Sequence, residues 1–254
     1  MKYKIFKFGG ASVKEASSVK NVAEIIKRFP NDKLIIVISA MGKTTNALEK
    51  LVNSFQKRSK DIFQILSEIK SYHLEIIKEL FAELNHPIYE EIENVFVELS
   101  WAVEGEPNSS YDQDYDQIVS MGEIISTKII SFYLNEIGIK NHWLDARGIV
   151  LTDNNYREGK VDFDKTSENV QQEIIAKFSN DNFEPIIIPG FIGGTSENYS
   201  TTLGREGSDY TAAILAYCTN AESVTIWKDV PGVLNADPKW FDNTEKIDEL
   251  TYQD

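Results

Sequence analysis

A single cysteine, Cys218, among 254 residues leaves no partner for an internal disulfide. The three histidines, His73, His86 and His142, stand far apart and form no metal-ligand spacing with it, which argues against a protein-bound zinc. Basic residues are also scarce. With 26 Lys and Arg against 40 Asp and Glu, the formal net charge is -14, and a nucleic-acid or anionic-membrane surface is excluded as the main business of the chain, although a local basic pocket is not. No stretch approaches the ~20 apolar residues that a membrane-spanning helix needs. The first eight residues read as a strand rather than a targeting segment, so the expected compartment is the cytoplasm.

What is present is an apolar inventory of 42%, enough for one large α/β domain or two small ones. Four β-branched runs read as buried strands: Lys4–Phe8, Leu34–Ser39, Pro185–Gly193 and Ser223–Trp227. Helical spacing lies between them, as in Val19–Arg28 and Asp209–Ala216, which predicts a mainly parallel sheet with helices on both faces. The first and third strands end in glycine pairs, Gly9-Gly10 and Gly193-Gly194, and ligands of such sheets gather at the strands' carboxyl ends. From Asn46 to Val103 glycine is absent and apolar residues recur at helical spacing, predicting a helical hairpin packed on the sheet. Gly105–Asp116 reads as an acidic, turn-rich linker into a helix that begins near Gln117. Cys218, in the run Thr211–Cys218, reads as a small core residue.

Four segments carry chemistry. Lys7-Phe8-Gly9-Gly10 is a strand end running into paired glycines, where backbone N–H groups can approach a phosphate and Lys7 can neutralise a transferred phosphoryl group. Met41–Thr45 looks like the end of a P-loop, but Val37, in mid-strand, stands where that loop needs its first glycine, so the segment is read instead as a hydroxyl-bearing loop offering Ser39, Thr44 and Thr45. Thr201–Asp209 combines hydroxyls, glycines, Arg205 and an aspartate at a helix start. Ser208 or Asp209 serves there as N-cap, and the planar fork of Arg205 suits a carboxylate or phosphate. Lys228–Pro238 follows a strand and holds two turn dipeptides. Asp229 is suited to ribose hydroxyls, and Val233 and Leu234 to an adenine face. A substrate carboxylate, already ionised at neutral pH, needs no general base to attack phosphorus, so the task of such a site is electrostatic.

Taken in order, KFGGASV at Lys7, SAMGKTTN at Ser39, MGE at Met121, GFIGG at Gly190, TTLGREGSD at Thr201, KDVPGVLNADP at Lys228 and KIDEL at Lys246 resemble the catalytic domain of the aspartokinases, in the amino-acid kinase superfamily. The resemblance spans Lys7 to Tyr252. It implies an α/β three-layer sandwich of the carbamate kinase-like kind, with a substrate-binding lobe over residues 1–180, a nucleotide-binding lobe over 181–254 and a boundary near Ala176 to Pro185. It implies ATP-dependent phosphorylation of the L-aspartate side chain, with ATP and Mg2+ as cosubstrate and cofactor and a homodimer as the possible assembly. By matching position, Lys7, Gly9 and Gly10 hold phosphates, and Ser208 and Asp209 support the reacting centre. Arg205 clamps an aspartate carboxylate, Glu123 binds the ammonium group, and Ser39, Thr45 and Phe191 complete the pocket. Lys228, Asp229, Leu234, Lys239 and Lys246 correspond to the nucleotide side.

The sequence departs from the family's pattern at Ala11, Glu206, Lys228, Leu234 and Lys239, which replace a threonine, a glycine, a threonine, a tyrosine and an arginine. Glu206, a carboxylate beside two anionic substrates, is the most consequential. The resemblance also leads one to expect regulatory ACT domains after KIDEL, and the chain, which ends at Gln253-Asp254, is expected to lack them. Two other readings stand beside this one: a sibling kinase acting on glutamate, and a nucleotide- or amino-acid-binding module without turnover.

Overall fold

Runs of β-branched residues buried on both faces build the centre of the molecule. In the computed structural model, which describes residues 2–178, 183–230 and 232–251, the chain forms β1 (Tyr3–Phe8), a 3-10 turn at Gly10–Val13, α1 (Ala16–Ile26), β2 (Lys33–Ile38), α2 (Thr44–Gln56), α3 (Ile62–Leu80), α4 (Ile88–Glu104), α5 (Tyr111–Val119) and α6 (Met121–Glu136). It continues through β3 (His142–Trp143), α7 (Phe163–Asn169), β4 (Ile186–Pro189), β5 (Ile192–Gly194), β6 (Ser200–Thr202), α8 (Gly207–Thr219) and β7 (Ser223–Trp227). The main sheet has the order β3-β4-β2-β1-β7 and every pairing in it is parallel, while β5 and β6 form a separate antiparallel pair. Leu34 through Ile38 and Ile186 through Ile188 are fully buried, as central parallel strands require.

Alternation along β1 decides what each face meets. Phe6 and Phe8 point to one face, where both rings pack on Trp227 and Phe8 shares a crevice with Val22 and Ile25 of α1. Lys7 points to the other face and reaches α8. Helices therefore cover both sides, as the sequence predicts. One sheet runs through both halves of the chain: β4 and β7 pair with β2 and β1. Of the boundary segment near Ala176 to Pro185, residues 179–182 lie outside the described residues, as does Pro231 in the turn of the fourth motif.

Four expectations require correction. Ser223–Trp227 is not a buried strand, because β7 closes the edge of the sheet and leaves Val224 and Ile226 exposed. The segment 46–103 is not a hairpin but most of three helices, α2, α3 and α4, which pack in series and rest through α4 on α6. The acidic linker ends early. Ser110 caps α5 by accepting from Gln113 N at 3.3 Å, so 111–116 is helical, and Asp114 and Asp116 are buried. The third strand breaks at Gly190-Phe191, where Phe191 takes φ 67°, and Gly193-Gly194 therefore lies in β5 rather than at the end of a sheet strand. That pair serves close packing: a Cβ on Gly194 would lie 2.3 Å from Arg147 O and one on Gly193 2.7 Å from Val150 O. His73 is a core histidine, fully buried with Nδ1 2.7 Å from Ile69 O, and burial lowers its pKa to about 4. Among the described residues no group of three or more His, Cys, Asp or Glu could hold a metal, and no helix is long and apolar enough to cross a membrane.

Candidate active site

The strands β1, β2 and β4 present their carboxyl ends to one cavity of about 780 Å³. Lys7, next to last in β1, lines it. Its side chain is 8% exposed and its Nζ lies 2.7 Å from Oδ1 of Asp209, in the first turn of α8. A cation in so little water requires such a partner. The glycine turn follows directly. A Cβ on Gly10 would lie 2.7 Å from Ala40 O, so this glycine lets the β1 and β2 loops cross, and Gly42 N donates to Gly10 O at 3.0 Å. A Cβ on Gly9 would sit 3.5 Å from Lys7 Nζ.

The loop after β2 turns two of its hydroxyls to the cavity and one away from it. Ser39 and Thr45 line the cavity, and Ser39 Oγ donates to Ser208 Oγ at 3.0 Å. Thr44 is buried and donates to Met41 O at 2.7 Å, so it holds the loop rather than a ligand. Glu123, in the first turn of α6, is 2% exposed; its Oε1 accepts from Ala40 N at 3.2 Å, while Oε2 is buried with no hydrogen-bond partner among the described residues. Burial raises its pKa to about 8 against the pull of the backbone N–H groups of Ala40 and of Glu123 itself. Glu123 lines the cavity, and an incoming cationic group would favour its ionised form.

Phe191, Arg205, Glu206 and Ser208 close the cavity from the β5–α8 side. The expected N-cap is corrected here. Glu206 occupies that position, at φ 56° and without a side-chain cap, whereas Ser208 and Asp209 lie inside α8. Being in the helix, Ser208 turns to Ser39 and Asp209 to Lys7. Arg205 is exposed and lines the cavity without an ion pair among the described residues.

Of the residues expected to hold the nucleotide, Lys7 alone lines this cavity. Lys228 and Asp229 bound a neighbouring crevice of about 290 Å³ together with Phe8 and Ser12, beside the glycine turn, and Ser12 Oγ donates to Trp227 O at 3.4 Å. Leu234 and Lys246 form an antiparallel bridge that brings those two segments together, with Lys246 Nζ 2.7 Å from Asp248; Lys239 is exposed and its N donates to Asp237 Oδ1 at 2.9 Å.

Sequence reasoning missed one wall, made by Asp112, Tyr115 and the segment Asn155–Glu158. Asp116 organises it. Fully buried, it accepts from Arg157 N at 2.8 Å, Thr202 N at 2.9 Å and Thr202 Oγ1 at 2.7 Å, and burial raises its pKa to about 6 despite those donors. The only local signal was the acid-rich run that reads as a linker.

A parallel sheet whose strand ends converge on a buried lysine, an exposed arginine and glycine turns makes a site suited to anionic groups, and the chain belongs to the amino acid kinase family, whose model matches residues 2–254. Within that family it is similar to aspartokinases. It is 35% identical to aspartokinase 1, chloroplastic, of Arabidopsis thaliana over 98% of this chain and 44% of that protein. It is 32% identical to the bifunctional aspartokinase/homoserine dehydrogenase 1, chloroplastic, of Zea mays over 99% of this chain and 27% of that protein. Its fold matches E. coli aspartokinase III in complex with aspartate and ADP with a TM-score of 0.87 and 30% identity, over 97% of this chain and 54% of that one. The chain thus spans about half or less of the length of these relatives.

Proposed function

We propose that this chain is the catalytic part of an aspartokinase, transferring the γ-phosphoryl group of ATP to the side-chain carboxylate of L-aspartate to give 4-phospho-L-aspartate, the entry to lysine, threonine and methionine synthesis. One observation carries the reading: Lys7, held by Asp209, lines the same cavity as Glu123, whose Oε2 has no hydrogen-bond partner among the described residues, and Arg205, which has no ion pair among them. A dicarboxylic amino acid offers complementary groups, an ammonium for Glu123 and a carboxylate for Arg205. The E. coli neighbour, solved with aspartate and ADP, supports the same substrates here.

In this reading residues 1–180 supply the amino-acid side and residues 181–254 most of the nucleotide side. Lys7, held by Asp209, lies against the transferring phosphoryl oxygens and stabilises the charge that develops there. Ser208 and Asp209 fix that centre from α8. Ser39, Thr45 and Phe191 shape the amino-acid pocket, so that the substrate carboxylate oxygen is oriented for in-line attack. Gly9 and Gly10 allow the backbone to approach phosphates, and Lys228, Asp229, Leu234, Lys239 and Lys246 receive the nucleotide. Mg2+ accompanies ATP and lowers the negative charge on its phosphates. Asp209, of which Lys7 engages only one oxygen, would be the carboxylate to hold it, with the phosphates and water supplying the rest. A homodimer and a cytoplasmic location complete the proposal; the plant relatives are chloroplastic.

The test is ADP release with Mg-ATP and L-aspartate, with L-glutamate as the control. Release with aspartate alone supports the reading, whereas release with glutamate alone assigns a sibling activity.

A further inference from the structure

Two arginines border the amino-acid end of the cavity, and the proposed reaction uses only one. Arg157 lines it from the segment between β3 and α7. Its backbone is tightly held: Arg157 N donates to buried Asp116, Glu158 bridges Leu203, and Gly159 N donates to Thr202 O at 2.9 Å. This sets Arg157 beside Gly204-Arg205. Gly204 takes φ 76°, and a Cβ on it would lie 3.5 Å from Arg157 O, at contact distance, so the two segments run side by side here. The residue also takes φ 67°, a left-handed conformation costly to a long side chain and persisting only where surroundings impose it. Its guanidinium rests 4.4 Å over the Tyr115 ring and 3.3 Å from Asp112, a half-exposed pairing that water weakens.

Resting on the aspartokinase reading, we infer that Arg157 is a specificity-determining residue: it leaves Asp112 when the amino acid enters and joins Arg205 on the α-carboxylate. Aspartate carries two carboxylates. One must remain free to attack phosphorus, and Lys7 is already paired with Asp209, so the other needs guanidinium partners from the two adjacent segments. Tyr115 supplies a platform on which the planar group slides without losing its stacking.

The variant Arg157→Gly separates function from folding, because glycine adopts the left-handed backbone freely. The expected result is a rise of about tenfold or more in the KM for L-aspartate, with kcat and the KM for ATP within about twofold and a melting temperature equal to or above wild type. L-aspartic acid α-amide is the discriminating probe. It lacks the α-carboxylate charge, so wild type and Arg157→Gly should use it equally poorly. Asp112→Asn, which frees the guanidinium, should lower the KM for L-aspartate. An unchanged aspartate KM in Arg157→Gly, or the same fold-loss with the amide as with aspartate, overturns the inference while leaving the kinase reading intact. A wild-type chain that neither binds nor phosphorylates L-aspartate overturns both.

Discussion

Lys7 Nζ and Asp209 Oδ1 meet at 2.7 Å across 202 residues of sequence, one from the end of β1 and the other from the first turn of α8. The pair gives α8 an electrostatic reason to start where it does, and it holds the lysine extended into the cavity. Because the lysine lies in little water, its charge acts at short range with weak screening. Lys7→Ala should reduce kcat/KM by at least 100-fold, about 2.7 kcal/mol in transition-state stabilisation, with the circular dichroism spectrum unchanged. Near-normal turnover would remove Lys7 from the chemistry.

Arg205 is exposed and has no ion pair among the described residues, so its replacement tests binding with little structural cost. Arg205→Ala should also lower kcat/KM by about 100-fold or more, most of it as a higher KM for L-aspartate. Steady-state kinetics with each substrate varied in turn separates the two KM values. A loss confined to ATP would move Arg205 to the nucleotide.

Glu123 ties binding to pH. Its pKa is raised to about 8 by burial, so it is mostly protonated in the empty site below that pH. An incoming ammonium favours the carboxylate, so aspartate affinity should rise as pH approaches and passes about 8, with proton release on binding at lower pH. The stability effect has the opposite sense. With a folded pKa above the ordinary carboxylate value, the folded state holds this proton more tightly than the unfolded, and stability falls as pH rises from about 4.5 through about 8. Glu123→Gln should therefore melt higher than wild type at alkaline pH while binding aspartate more weakly. Calorimetry in buffers of differing ionisation enthalpy measures the proton release, and pH-independent affinity would contradict it.

Glu206 tests the electrostatics from the other side. It sits exposed at φ 56°, where glycine is unstrained, and it adds negative charge to the cavity wall. Glu206→Gly should keep the melting temperature within a few degrees and leave kcat/KM for ATP unchanged or modestly improved. A 100-fold loss, about 2.7 kcal/mol, would mean that this carboxylate is needed for turnover.

Asp116 is predicted to matter for stability as much as for the site. Removing it strands the buried N–H and hydroxyl of Thr202 and takes the acceptor from the part-buried N–H of Arg157. Asp116→Ala should destabilise the fold by roughly 3 kcal/mol in urea unfolding. A change under ~1 kcal/mol would mean that water replaces the carboxylate.

Legibility in the sequence followed the range of the interactions. The strands at Lys4–Phe8 and Leu34–Ser39 were readable because burial on both faces demands continuous apolar runs, whereas Ser223–Trp227 was readable only from its β-branched run and lies at the sheet edge, largely exposed. Lys7, Ser39, Thr45, Arg205 and Ser208 were readable from local motifs and Glu123 and Phe191 only through the family resemblance, and all seven line one cavity. The break at Phe191 was not, because a left-handed residue there carries no glycine to mark it. Asp116 read as linker because its partners lie at 157 and 202, and no local spacing records a buried carboxylate satisfied from such distances. The helix start at Gly207 went unread for the same reason: Ser208 and Asp209 look like caps but are committed to Ser39 and Lys7.

The most direct measurement is trapping of the acyl phosphate by hydroxylamine with Mg-ATP and L-aspartate, run beside Lys7→Ala and beside L-glutamate. The account predicts hydroxamate formation with aspartate, none above background with glutamate, and a loss of at least 100-fold in the variant. ATP binding by calorimetry without any hydroxamate, or equal product from glutamate, would contradict it.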